Sequence, residues 1–260
     1  IIAFTHSFHG VSLGALAATS NSHFREAAGI DLTNVTFLPY DNYISGINSS
    51  EYLKLMLEDR SSGVDIPAAI ILETIQGEGG VNVASDTWLK QVADIANTYG
   101  IMLIVDDIQA GCGRSGNFFS FEESGITPDL VVLSKSISGS GLPMSLLLIK
   151  PEHDIWQPAQ HNGTFRGNTL AFVSARAAIG TFWENTDFSN EIKQKGEFIR
   201  SSLKEISASN KKFGLKVRGK GMFNGLVFES GLLANQARKL AFEKGMIIEL
   251  CGANDEVLKV

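Results

Sequence analysis

Short apolar runs alternate with amphipathic stretches along most of the chain. The runs lie at Ile2 to Thr5, Val35 to Leu38, Ala68 to Leu72, Ile101 to Val105, Leu130 to Leu133 and Leu146 to Ile149. Helix-like segments separate them, which is the rhythm of βαβ units and predicts an α/β fold with a largely parallel sheet flanked by helices. The clearest helix runs from about Ser85 to Tyr99, where Trp88, Leu89, Val92, Ile95 and Ala96 fall on one face. Asp86 complements the positive helix start, and Gly100 ends the helix. From about Leu170 the pattern lengthens into helical stretches through Trp183 and from Phe188 to about Ser207. Strands follow near Leu215 to Arg218 and Phe223 to Phe228, then a helix over Leu232 to Lys244 and a strand over Met246 to Leu250. We place a boundary near Glu184, with a larger unit over 1–183 and part of a smaller α+β unit over 184–260. The chain opens inside one apolar strand pattern, Ile1 to Phe4, and stops inside another, Val257 to Val260, so it reads as an internal fragment.

Composition narrows the function classes. With 260 residues, 44% of them hydrophobic, the chain can bury a large core. Its 22 basic and 28 acidic residues give a formal charge of −6 with no basic stripe, which argues against a nucleic-acid partner. Cys112 and Cys251 are the only cysteines, and their separation suits neither a disulfide framework nor a metal cluster, so a reducing cytoplasm is expected. The five histidines show no metal-ligand spacing, and no metal is expected. Serine and cysteine nucleophile sets are not evident, which removes the common hydrolase readings. No apolar run approaches the ~20 residues that span a bilayer.

The chemistry concentrates at strand ends. Lys135 follows the run Leu130 to Ser134, and Asp106-Asp107-Ile108-Gln109 follows Ile101 to Val105. In a parallel sheet such carboxyl ends face one ligand crevice. An amine, a carboxylate and a carboxamide together suit an aldehyde cofactor, above all pyridoxal phosphate. A lysine condenses with the aldehyde, an incoming amino acid displaces it, and the freed amine moves protons. Asp106 facing the pyridine nitrogen keeps that nitrogen protonated, and Gln109 can donate to the ring phenolate. The plainer alternative makes Lys135 a strand cap and the aspartates loop solvation.

Other motifs admit two readings each. Gly111-Cys112-Gly113-Arg114-Ser115-Gly116 matches G-x-G-x-x-G, but residues 106–110 intervene after the strand and no obvious helix follows, so a nicotinamide site is a poor fit. These glycines are read instead as a sharp turn beneath the cleft, with Arg114 in a structural hydrogen-bond role. Gln76-Gly77-Glu78-Gly79-Gly80 follows a strand and is either a substrate-facing loop or a solvated turn using glycine for positive φ. Phe8-His9-Gly10 offers an aromatic face to a flat ring, or ordinary packing. In Gly163-Thr164-Phe165-Arg166-Gly167-Asn168, Thr164 is either an anion contact or a helix N-cap.

Ile104 to Gly116 followed by Leu133-Ser134-Lys135 resembles the signature of the class III, fold type I aminotransferases, and the resemblance runs through essentially the whole chain. It is closest to the branch that opens ectoine synthesis, supported by Glu58 to Val64, Ser134 to Pro143 and His161 to Asn168. The resemblance implies the pyridoxal-phosphate-dependent transferase fold, with potassium as a candidate second cofactor. Its reaction moves the amino group of glutamate to aspartate 4-semialdehyde, and the alternatives are another class III ω-aminotransferase or a noncatalytic fragment of the fold. By resemblance Lys135 is the cofactor lysine, Asp106 the pyridinium partner, Gln109 the phenolate contact and Phe8, beside His9, the stacking aromatic. Thr164 would reach the cofactor phosphate of a neighbouring subunit, which implies a homodimer or higher homo-oligomer. Glu73 lies near the cofactor and Glu78 near the substrate, the latter pairing with an arginine expected beyond Val260. Two departures stand out. Asp107 replaces the class's usual glutamate, and Arg166, a candidate substrate-carboxylate contact or structural ion-pair member, replaces a small residue.

Overall fold

The computed structural model describes residues 1–260. Its strands, in chain order, are β1 (Ile2–Phe4), β2 (Thr36–Leu38), β3 (Ala69–Leu72), β4 (Ile75–Gln76), β5 (Asn82–Val83), β6 (Met102–Asp106), β7 (Leu130–Ser134), β8 (Ser145–Ile149), β9 (Lys216–Lys220), β10 (Phe223–Val227), β11 (Glu249–Cys251) and β12 (Val257–Lys259). The α-helices are α1 (Leu13–Ala17), α2 (Ser22–Arg25), α3 (Ser49–Glu58), α4 (Asp86–Tyr99), α5 (Thr169–Phe182), α6 (Asp187–Ser209) and α7 (Gly231–Glu243).

The six apolar runs of the first 150 residues pair into one sheet of order β2-β1-β3-β6-β7-β8. All its pairings are parallel except β7 with β8, which is antiparallel and closes one edge. This is the α/β arrangement expected. Strands buried on both faces need uninterrupted apolar sequence, and Ile70, Leu72, Leu103 and Val105 are all buried. Helix α4 covers the sheet with the predicted stripe, since Trp88, Leu89, Val92, Ile95 and Ala96 are buried. The Ser85 side chain accepts from the Trp88 N–H at 3.2 Å, and Gly100 ends the helix at φ 65°. The Trp88 ring meets Phe4 edge-on at 5.0 Å, and its Nε1 donates to Ser49 Oγ at 2.8 Å.

A second sheet, of order β11-β12-β10-β9, is antiparallel and draws every strand from residues after Leu215. Leu203 of α6 joins Leu226 and Leu258 beneath it. The strand expected over Met246 to Leu250 begins only at Glu249. Gly245 (φ 84°) and the Met246 N–H bond to the Ala241 carbonyl at 2.9 Å still belong to the exit of α7, which leaves Ile247 exposed. Helix α3, capped by Asn48, buries Leu53 and Leu57 four residues apart, and the two-residue strands β4 and β5 pair as a hairpin. No helix is long and apolar enough to cross a membrane.

Trp88→Ala removes the largest buried side chain and leaves Ser49 Oγ without its donor. We expect a loss of about 3–5 kcal/mol in denaturant unfolding. A loss below about 1 kcal/mol would deny Trp88 its central place in the core.

Candidate active site

The parallel register puts four strand exits side by side. Ile2 pairs with Ile70, Leu72 with Val105 and Asp106 with Val132. The segments beginning at Thr5, Glu73, Asp106 and Lys135 therefore leave the sheet along one edge, and the predicted residues Phe8, His9, Glu73, Glu78, Asp106, Gln109 and Lys135 lie on them.

Asp106 is fixed from two sides. Its Oδ2 lies 2.8 Å from His9 Nδ1, and its Oδ1 accepts from the Ile108 N–H at 3.2 Å. His9 Nε2 is buried without a partner, so hydrogen on that nitrogen would be a buried, unsatisfied donor. The geometry selects the tautomer with hydrogen on Nδ1, donating to Asp106. His9 thus acts through Asp106. Glu73 is buried, and its Oε1 accepts from the Phe8 N–H at 2.9 Å, which anchors the aromatic segment. Burial and the Asp106 charge push its carboxyl well above the usual carboxylate range. Asp107 points away from the cleft, is buried, and accepts from the Ser120 N–H at 3.1 Å and from the Ser120 hydroxyl. Burial raises it to about 6 against those hydrogen bonds. The shorter Asp107 therefore organises the loop and leaves Asp106 in place.

Lys135 sits just past β7 in the left-handed region (φ 53°), a costly conformation for a residue with a Cβ. A short 3-10 turn, Lys135–Ser138, ends at Gly139 (φ 73°), where an added Cβ would stand 2.5 Å from the Ala178 Cβ of α5. That close approach seats the lysine turn on the helix, with Ser174 Oγ donating to the Ser138 carbonyl at 2.7 Å. The Lys135 amine has no hydrogen-bonding or ionic partner. Desolvation by the cleft walls lowers its pKa, opposed by Glu78 and Asp106 and aided by Lys259 and Arg114.

Glu78 lies in the turn of the β4–β5 hairpin. There an added Cβ on Gly79 would run into the His6 backbone carbonyl, so close approach demands that glycine. Gln109 Nε2 donates to Glu78 Oε1 at 3.0 Å, and Lys259 Nζ stands 2.8 Å from the same oxygen. Burial raises the Glu78 pKa, but Lys259 and Gln109 outweigh it and leave the carboxyl below its ordinary value. Lys259 also reaches Glu249 Oε2 at 3.2 Å, and its own pKa is raised because these contacts overcome its burial. Within this chain the cation beside Glu78 is Lys259. Residues 181 positions apart meet here, and β12 carries the lysine to the cleft.

Four further expected residues lie as follows. Arg114 makes no side-chain hydrogen bond; its guanidinium lies over the Phe223 ring at 3.8 Å, while the glycine-rich segment turns against Trp183 at Gly113. Asn168, not Thr164, caps α5, accepting from the Leu170 and Ala171 N–H groups at 3.1 and 3.4 Å. Arg166 forms no ion pair and instead donates to the His161 carbonyl at 3.1 Å. Both Thr164 and Arg166 are exposed, and neither bonds to Lys135 or Asp106. The Phe8 ring is half-buried and meets Phe24 edge-on at 5.1 Å.

The donor set matches what pyridoxal phosphate requires: an unpaired amine for an aldehyde, a fixed carboxylate for a pyridinium nitrogen, and a nearby aromatic face. Comparison with known proteins agrees. The family model for class-III aminotransferases matches residues 1–260. The chain belongs to the class III aminotransferases. An uncharacterized aminotransferase, y4qG, of Sinorhizobium fredii is 55% identical over all of this chain and 58% of its own length. Proteins named diaminobutyrate–2-oxoglutarate transaminase from Bordetella parapertussis and Vibrio cholerae are 54% and 52% identical over all of this chain and 60% and 63% of theirs. The chain thus spans about three fifths of the length of these relatives. The ornithine aminotransferase of Toxoplasma gondii ME49 shares the fold with a TM-score of 0.86 at 24% identity, over 99% of this chain and 58% of that one. A transaminase from a marine Virgibacillus does so with 0.85 at 22%, over 100% and 62%. The fold is the one these class III transaminases share.

Lys259→Met in the full-length aminotransferase removes a positive charge near Lys135 and frees the negative charge of Glu78. Both changes raise the Lys135 pKa. We expect the pH profile for acylation of Lys135 in the cofactor-free protein, mapped by mass spectrometry, to move to higher pH. An unchanged profile would separate the two lysines electrostatically.

Proposed function

We propose that the full-length protein is a pyridoxal-phosphate-dependent transaminase. In this reading it moves the amino group of L-glutamate to L-aspartate 4-semialdehyde, giving 2-oxoglutarate and L-2,4-diaminobutyrate. The observation that carries the reading is the unpaired amine of Lys135 beside the His9-bound carboxylate of Asp106 at neighbouring strand exits. When bound, the cofactor supplies an aldehyde that condenses with primary amines and a ring that takes up the electrons of a breaking C–H bond.

The chain's own residues do the rest. Asp106 holds the proton on the ring nitrogen, and His9 holds Asp106. A lowered Lys135 pKa keeps more of its amine unprotonated, able to receive the proton from the substrate carbon and return it elsewhere. Phe8, anchored by Glu73, provides the ring's aromatic cover, and Gln109 its phenolate contact. Glu78 and Arg166 serve the substrate side. Thr164 serves the phosphate site of a second subunit, so the working form is at least a homodimer in the cytoplasm. Residues 1–183 carry the cofactor, and the 184–260 unit contributes Lys259. The relatives' names support diaminobutyrate over ornithine or 4-aminobutyrate chemistry; we assign that product to ectoine synthesis, with diaminobutyrate made for siderophores as the alternative.

Borohydride reduction of the cofactor-loaded, full-length protein should attach the label to Lys135, and Lys135→Ala should lower turnover by about 10²–10⁴-fold. A label on another lysine would reject the assignment. Among aldehyde acceptors, aspartate 4-semialdehyde should be the best. A preference for succinate or glutamate semialdehyde would replace the substrate while leaving the chemistry.

A further inference from the structure

Two hydroxyl groups that the transfer chemistry does not use lie directly behind the site. Thr74 follows Glu73 at the exit of β3, and Ser120 stands in the loop between β6 and β7. Both are buried, as is Asp107 beside them. The Ser120 N–H and hydroxyl donate to the two carboxylate oxygens of Asp107, which commits the only hydrogen on Ser120 Oγ. Thr74 Oγ1 lies 2.5 Å from that same Oγ and is therefore its donor. The three side chains form one directed chain, from Thr74 to Ser120 to Asp107.

The place of this chain in the sheet gives it a task. Backbone pairing of β3 with β6 ends at Leu72 and Val105, so Glu73 and Asp106 both lie just past the last shared rung. Past that rung side chains join the two exits, Gln109 with Glu78 in the cleft and the hydroxyl chain behind it. Each end of the hydroxyl chain is attached to fixed backbone. The Asp107 N–H donates to the Val132 carbonyl of β7 at 2.9 Å, and the Asp107 carbonyl accepts from the Gly111 N–H at 3.0 Å. At the other end the Thr74 carbonyl accepts from the Ala84 N–H at 2.9 Å, and the Tyr40 hydroxyl donates to the Glu73 carbonyl at 2.7 Å. Phe121, next to Ser120, is buried in the main core and fixes the loop. A buried polar chain whose members are all paired resists displacement, because each broken link leaves a desolvated group without a partner.

We propose that Thr74 and Ser120 are positioning residues that act through Asp107 to hold the Asp106 carboxylate in place for the ring nitrogen of pyridoxal phosphate. The inference rests on Asp106 being the partner of that nitrogen. His9 and the Ile108 N–H orient the carboxylate group itself, at 2.8 and 3.2 Å, whereas the hydroxyl chain fixes the backbone from which it projects. A network that served stability alone would, when cut, weaken every contact to the cofactor alike. One that serves Asp106 weakens the contact to the ring nitrogen.

The test measures binding affinity in the full-length protein after its cofactor has been removed. Two ligands are titrated, pyridoxal phosphate and its analogue with C–H in place of the ring nitrogen, which offers Asp106 no N–H. Wild-type protein should prefer the first by about 10–100-fold, the range of a charge-assisted hydrogen bond. Thr74→Val keeps the side-chain shape and removes the hydroxyl, and it should cut that preference by about 3–10-fold. Thr74→Ser should restore it. Ser120→Ala breaks both links, so it should lower the preference at least as far, and it gives a second measurement if the valine variant does not fold. A ratio of affinities unchanged from wild type in the folded variants, even with both affinities weakened, would overturn the proposal. Wild-type protein without any preference would instead reject Asp106 as the ring partner, and the proposal with it.

Discussion

The hydrogen-bonded register of the parallel strands β1, β3, β6 and β7 is the constraint on which the site depends. Because Leu72 sits beside Val105 and Asp106 beside Val132, a carboxylate from one strand exit and an amine from the next emerge on one edge. A slip of one residue would turn each of these side chains to the opposite face. Apolar burial prevents the slip, since Ile70, Leu72, Val105 and Leu133 have no tolerable place outside the core. The same packing offsets the left-handed backbone of Lys135 and the close contact of Gly139 with α5.

Electrostatics then divides the acids by role. Glu73 and Asp107 are buried with raised pKa values and hold backbone or hydroxyl groups, so they organise the two loops beside the site. Asp106 has a histidine behind it, and Glu78 has a lysine before it. Lys135 alone has no partner, and the desolvation that lowers its pKa is what makes an amine useful as a nucleophile and proton carrier. The second sheet matters because β12 places Lys259 against Glu78 and so couples that sheet's position to the charge around Lys135.

Much of this was legible in the chain itself. Strand exits bearing Asp106 and Lys135 show as apolar runs that stop at polar residues, and α4 shows as a clean stripe closed by Ser85 and Gly100. What the pattern does not carry is long-range pairing. Nothing near Lys259 signals a contact with Glu78, and nothing near His9 signals Asp106, because each pair is made by the fold. Local competition also misleads. Thr164 and Asn168 are both good caps, and only the backbone path decides for Asn168. Arg114 stacks on Phe223, which arrives from the other sheet. The segment after Gly245 has strand-forming residues but still closes α7.

The central claim is that Lys135 and Asp106 grip one pyridine ring. A crystal structure of the full-length protein grown with pyridoxal phosphate tests it most directly. The account expects electron density continuous from Lys135 Nζ to the cofactor, with an Asp106 oxygen at hydrogen-bonding distance, about 2.6–3.2 Å, from the ring nitrogen. A ring bound to a different lysine, or one whose nitrogen faces away from Asp106, would contradict it.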